Sequence, residues 1–158
     1  MKKFILPFLF IFALSLILGG CGNDVEDKLP VPQLSVLGEE LIAATAIKNP
    51  MELTPDEAEM IMGISAADIA ESYIRISEEA IESEMVCLIK CTDEAAAERV
   101  RTAVSSYISH QAATFQSYLP EEYAKLKDVT AKSDGLYVYA AVGSDSTAIN
   151  EIFARYFK

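Results

Sequence analysis

The chain has little of what catalytic and nucleic-acid-binding proteins rely on most. It carries one histidine, His110, three cysteines and seven glycines among 158 residues. A lone imidazole cannot build a multi-histidine metal site. The scattered glycines supply no phosphate-cradling loop, since the adjacent Gly19 and Gly20 close the apolar stretch at the start of the chain. Cations are scarce too: 13 Lys and Arg stand against 24 Asp and Glu, a formal net charge of −11. Such a surface repels phosphate backbones and anionic headgroups, which excludes nucleic acid as a partner and a basic patch as a membrane contact.

What is present begins at the N-terminus. Met1-Lys2-Lys3 precedes an apolar core from Phe4 to Leu18, and Gly19-Gly20 lead into Cys21. Two lysines, an apolar segment and small residues before a cut site are the parts of an export signal. The core is shorter than the roughly 20 residues a permanent span needs, so cleavage is expected. Leu18-Gly19-Gly20-Cys21 resembles the lipobox of bacterial lipoproteins, where a branched apolar residue and two small residues precede an obligatory cysteine. The resemblance implies cleavage between Gly20 and Cys21 and a diacylglyceryl thioether on Cys21 carrying acyl chains such as palmitate. The mature protein would then sit outside the cytoplasmic membrane, lipid-anchored by its N-terminus; the other reading is an ordinary secreted protein with an incidental cysteine. Two or three acyl chains at about 0.8 kcal/mol per buried methylene make a long-lived attachment.

Loss of Lys2 and Lys3 with the signal takes the mature charge to −13. The positive mean hydropathy of +0.22 comes partly from the signal. Three segments follow: residues 1–20 as signal peptide, 21–33 as lipidated N-terminus and flexible tether stiffened by Pro30 and Pro32, and 34–158 as a single α+β domain. That domain is long enough to bury a core without metal or disulfide staples.

Hydropathic periodicity predicts the elements. Leu34, Leu37, Leu41 and Ile42 form one helical stripe ended by Lys48-Asn49-Pro50, and Thr54-Pro55-Asp56-Glu57 starts a second helix that Gly63 closes. A helical turn at Ser65–Ala70 precedes an alternating strand at Ser72–Ser77 and an apolar one at Met85–Cys91. Thr92-Asp93-Glu94 caps a long helix running to about Leu119, where Pro120 breaks it, and residues 121–127 add a short helix. A hairpin of residues 128–132 and 136–142 turns at Asp134-Gly135, and Gly143-Ser144-Asp145 opens the last helix, with Ile149, Ile152, Phe153 and Tyr156 inward. The fold class is α+β: two helices, then a ββα-ββα arrangement, with a four-stranded, mainly antiparallel sheet and helices on one face. Thr92-Asp93-x-x-Ala96-x-x-x-Val100 matches Ser144-Asp145-x-x-Ala148-x-x-x-Ile152, through either duplication or convergent capping.

Several of these residues together resemble a known family. Gly63-Ile64, Ala67-Asp68-Ile69, Tyr73, Glu84 before an apolar strand, Phe115, and Gly135-x-Tyr137-Val138 are ordinary patterning around one specific piece, Tyr118-Leu119-Pro120-Glu121-Glu122-Tyr123. The chain is similar to the domain-of-unknown-function family numbered 4358, common in lipoproteins of anaerobic Gram-positive bacteria, from about Leu34 to the C-terminus. The resemblance implies extracytoplasmic placement and a fold, with no catalytic residues to carry over.

No catalytic set emerges. Cys87 and Cys91 share a strand face about 13 Å apart, beyond disulfide reach, and read as buried thiols. His110 falls at the edge of the long helix's apolar stripe. Acid pairs at Glu78-Glu79, Glu82-x-Glu84 and Glu121-Glu122 lack the spacing and turn glycine of a calcium loop, and solvation already explains them. Tyr118, Tyr123, Tyr137 and Tyr139 offer a low-ranking interaction surface, the other reading being that Tyr118 and Tyr123 clamp the Pro120 kink. No cofactor and no metal are expected, and the domain is read as non-enzymatic. The functional expectation is a membrane-anchored, extracytoplasmic binding or accessory module for an envelope protein, a peptide or wall component, or a small ligand. Two other classes remain: an envelope hydrolase or thiol-redox enzyme using acid pairs or Cys87 and Cys91, and a scaffold pairing through an open sheet edge.

Overall fold

A computed structural model describes residues 28–158. The signal segment, its cleavage site at Gly20, the lipidation site Cys21 and the tether up to Asp27 lie outside the described residues. Lys28 to Gln33 form no regular structure, although Leu29 N–H donates to Arg155 O at 2.9 Å and Lys28 Nζ to Ala154 O at 2.7 Å.

Helix α1 (Leu34–Thr45) buries Leu34, Leu37 and Leu41 and ends three residues before the expected stop, at Ala46 in the left-handed region (φ 61°). A short strand β1 (Pro50–Glu52) follows, where only a helix breaker was expected. Its three exposed residues have no alternation for a sequence pattern to reveal. Helix α2 (Pro55–Met62) carries the expected capping box: Thr54 N–H donates to Glu57 Oε2 at 2.8 Å, and Glu57 N–H donates to Thr54 Oγ1. After Gly63 and a 3₁₀ turn at Ala66–Asp68, β2 (Ile69–Ser77) and β3 (Met85–Cys91) form a hairpin.

Helix α3 (Glu94–Phe115) is capped by the Asp93 carboxylate, which accepts from Ala96 N–H at 2.7 Å. It stops four residues short of Leu119, and Pro120 then serves as the first residue of α4 (Pro120–Leu126). Strands β4 (Lys132–Asp134) and β5 (Tyr137–Val142) pair so that Asp134 faces Tyr137, leaving Gly135 and Leu136 as the turn. Within the turn only Gly135 takes a positive φ (56°), whereas Asp134 belongs to the strand and residues 129–131 lie outside it. Helix α5 (Ser146–Tyr156) starts at the Asp145 cap, which accepts from Ala148 N–H at 2.9 Å.

The sheet has five antiparallel strands in the order β1-β2-β3-β5-β4, one more than the sequence reading gave. Helices cover both faces, not one. On the first face Met85, Cys87, Ile89, Val138 and Ala140 pack under α2, α3 and α4. On the second, Val86, Leu88, Tyr139 and Ala141 pack under α1 and α5. The continuous apolar run of β3 is the mark of a strand buried on both sides. Period-2 alternation identifies which residues share a face but does not say whether the second face meets water or another helix.

The two ββα units differ in hand. A rotation that superposes antiparallel neighbours β3 and β5 keeps their following helices on one face, whereas α3 and α5 lie on opposite faces. Their likeness is therefore confined to the cap, where each Asp meets the amide three residues on.

Antiparallel pairing gives the sheet two ends. The entry end gathers Leu29, the 3₁₀ turn, the Gly135 turn and the C-terminus, where Lys158 N–H donates to Asp134 Oδ2 at 3.0 Å. The opposite end gathers the α1–β1 connection, the acidic 78–84 connection, α4 and the start of α5. There α1 closes on β5 at Gly143, where a Cβ would overlap the Thr45 backbone. Any side chain at 143 would force the two apart.

Candidate functional site

The end opposite the entry holds a charged node between sheet and helix. Ser83 and Glu84 precede β3, and both are buried. Glu122 and Lys125 lie one turn apart on α4, which presents them to the sheet end. Lys125 Nζ sits 2.6 Å from Glu84 Oε1 and 2.7 Å from Glu122 Oε1. The other Glu122 oxygen accepts from Ser83 N–H at 2.9 Å and from Ser83 Oγ at 2.7 Å. Glu84 Oε2 is buried without a hydrogen-bond partner.

Burial opposes the charge on Glu122, yet the hydrogen bonds from Lys125 and Ser83 outweigh it and hold its pKa below the ordinary value. Burial likewise opposes the charge on Lys125, and its two carboxylate partners reverse the balance and raise its pKa. The node thus buries two acids around one lysine.

A cleft lies on each side of this node. The larger, about 530 Å³, runs beside the end of β5 and the start of α5 and is lined by Lys125, Asp128, Lys132, Gly143, Ser144 and Asn150, among others. The smaller, about 280 Å³, lies between the β1–α2 edge and the 78–84 connection, with Glu84 in its wall. No group of three His, Cys, Asp or Glu able to hold a metal occurs among the described residues.

The residues singled out from the sequence are dispersed. Cys87 and Cys91 are free and buried on the α3 face of β3. Burial pushes the Cys87 thiol up to about 12 and the Cys91 thiol up to about 11, so neither is a thiolate near neutrality. His110 is exposed on α3. The four tyrosines do not form one surface. Tyr118 is 83% exposed. Tyr123 packs into the α3–α4 layer, where it clamps the start of α4 to the core. Tyr137 and Tyr139 face the opposite layer, with Tyr139 buried and stacked on Phe157 at 4.1 Å.

Glu122 and Glu84 belong to acid pairs that the sequence displays, whereas no motif marks Lys125, which joins them. The i,i+3 spacing of Glu122 and Lys125 was readable. The link from Lys125 to Glu84 spans 41 residues and exists only in the fold.

No curated protein and no solved structure matches the chain. A family does match, over residues 43–143, from the last turn of α1 through β5, which is shorter at both ends than the resemblance implied. The family is described as a domain of unknown function (DUF4358), and the chain belongs to it.

Proposed function

We propose that this chain is a lipid-anchored, extracytoplasmic lipoprotein whose folded domain is a non-catalytic binding or accessory module. The observation that carries the reading is polarity: Leu29 joins the fold at the C-terminal end of α5, whereas the 78–84 connection and the start of α5, which line the two clefts, lie at the other end of the sheet. A tether attached at Cys21 leaves that far end free for a partner. No helix among the described residues is long and apolar enough to cross a membrane, so in this reading retention depends on the lipid.

The placement of the residues named for the enzymatic alternatives supports the binding reading. A thiol-redox role needs an accessible, acidified cysteine, and Cys87 and Cys91 are buried with raised pKa values. A two-carboxylate hydrolase needs a general acid of raised pKa. Glu84 and Glu122, the pair that converges, share Lys125, and Glu122 is shifted the other way.

Metabolic labelling of cells with a fatty-acid analogue tests the anchor. The wild-type chain takes up label and fractionates with membranes, and Cys21→Ser abolishes labelling and leaves the uncleaved precursor. An unlabelled wild-type chain overturns the reading. Folded protein treated with a thiol reagent gives no reaction at Cys87 or Cys91 until denaturant is added; prompt reaction restores the redox alternative.

A further inference from the structure

The binding-module reading leaves the partner's chemistry open, and the smaller cleft narrows it. One side of this cleft is apolar: Met51 on β1 and Ile61 on α2 line it at 39% and 41% exposure, and Met60, which precedes Ile61 in the chain, is 81% exposed. The other wall is acidic, formed by Glu78, Glu79, Glu82 and Glu84. The cations paired to that wall are Lys48, 3.6 Å from Glu82, and Lys125, which Glu84 shares with Glu122. Glu84 Oε2 is buried without a partner, so the carboxylates open to an incoming group are those of the exposed Glu78 and Glu79, with Glu82 half-buried beside them. At about 280 Å³ the cleft falls just below the range of small-molecule pockets and suits inserted side chains.

We propose that this groove docks a basic amphipathic segment of a partner protein, with Lys or Arg heads along Glu78, Glu79 and Glu82 and aliphatic side chains on Met51 and Ile61. Lys and Arg suit both walls at once, because their stems bury on apolar surface while their heads meet carboxylates. Methionine adapts to varied side-chain shapes, as a surface reading pattern rather than one sequence requires. An acidic segment is repelled, and a nonpolar one leaves the acidic wall unmatched. The proposal rests on the module being a binder and not on its lipid.

The test uses the mature chain from residue 21 with Cys21→Ser, and fluorescently labelled synthetic peptides of about twelve residues, long enough for an extended or helical anchor series. Alternating Lys-Leu is the probe, and Lys-Ser and Glu-Leu of equal length are the controls. Anisotropy should show Lys-Leu binding about tenfold or more tightly than either control, and weakening as salt shortens the Debye length. Glu78→Gln with Glu79→Gln should weaken binding about three- to tenfold, since neither side chain holds the fold and exposed pairs contribute modestly. Ile61→Ser should weaken Lys-Leu and leave Lys-Ser unchanged, while Glu151→Gln on α5 should change nothing.

Equal loss with Glu151→Gln would mean attraction to net charge alone and overturn the groove. Equal binding of Lys-Ser and Lys-Leu, or no binding of Lys-Leu, would overturn it too. Crosslinking in intact cells separates this proposal from the broader reading: a partner captured equally by wild type and by the Glu78→Gln, Glu79→Gln, Ile61→Ser variant refutes the groove and leaves the module standing.

Discussion

The two ends of the sheet each carry a charged node, and the nodes are built differently. At the entry end Asp68 meets Arg99 in a two-point contact, Oδ2 to Nε at 2.9 Å and Oδ1 to Nη2 at 2.6 Å, so both carboxylate oxygens are used. The Asp68 backbone oxygen also accepts from Thr92 N–H, tying the strand ends together. At the other end Glu84 and Glu122 share a single lysine, and one oxygen of Glu84 remains unused. A planar guanidinium matches a carboxylate in full, whereas an ammonium between two acids leaves net negative charge. The first node completes a junction. The second leaves one buried carboxylate oxygen unpaired beside two clefts, at the end farthest from where the chain enters. A buried ionic group contributes less to stability than an apolar one of its size would, so stability alone does not account for the open node.

The comparison breaks most readily at Lys125. Lys125→Met leaves two buried acids facing each other and should cost about 3 kcal/mol in urea unfolding, in the range for a buried pair robbed of one partner. Arg99→Met should move the midpoint less, because the Arg99 side chain is 59% exposed and water replaces part of what is lost. If the two variants unfold alike, the nodes are not distinct in kind.

Gly143→Ala probes the packing that closes α1 onto the open end. The new Cβ meets the Thr45 backbone, which has no flexible tip to yield, and the expected cost is about 2 kcal/mol by thermal or urea unfolding.

Acid titration sharpens the contrast. Hydrogen bonding to Arg99 lowers the Asp68 pKa, and Glu122 is lowered by Lys125 and Ser83 against its burial. A depressed carboxylate contributes stability that is fully present above its unfolded value and lost as pH falls through its folded value. The losses therefore begin near 4.5 for Glu122 and near 3.8 for Asp68 and deepen below them. Lys125→Met should flatten the upper part of this acid limb and Arg99→Met the lower part. An unchanged limb in Lys125→Met would contradict the assignment.

The smallest effect is at Ala46, which holds a left-handed φ of 61° at the end of α1. Ala46→Gly relieves that strain and should stabilise the domain by about 0.5–1 kcal/mol after the entropy glycine adds to the unfolded chain.

Much of this molecule was legible in its sequence. Thr54-Pro55-x-Glu57, Asp93 and Asp145 announced three helix starts because capping is local chemistry written within four residues. The uniform run Met85–Cys91 announced a strand for the same kind of reason. β1 was invisible because its three residues are defined only by pairing with β2. The second helix layer was missed because Leu37 of α1 and Phe153 of α5 meet only once the sheet lies between the other helices and them. The tyrosines form no single surface because Tyr123 lies in the α3–α4 layer and Tyr137 and Tyr139 in the opposite one, a division that only the fold decides. The open node sat between the two cases: Glu122 and Lys125 were adjacent on one helix turn, and Glu84 joined them only through the fold.

The measurement that bears most directly on the polarity of the molecule is paramagnetic relaxation in the membrane-tethered state. The mature chain, coupled through Cys21 to lipid in vesicles carrying a gadolinium headgroup, should show stronger broadening at the entry end, at the Gly135 amide, than at Ala80 in the open end. Equal broadening, or the reverse order, would contradict the claim that the grooves point away from the anchor.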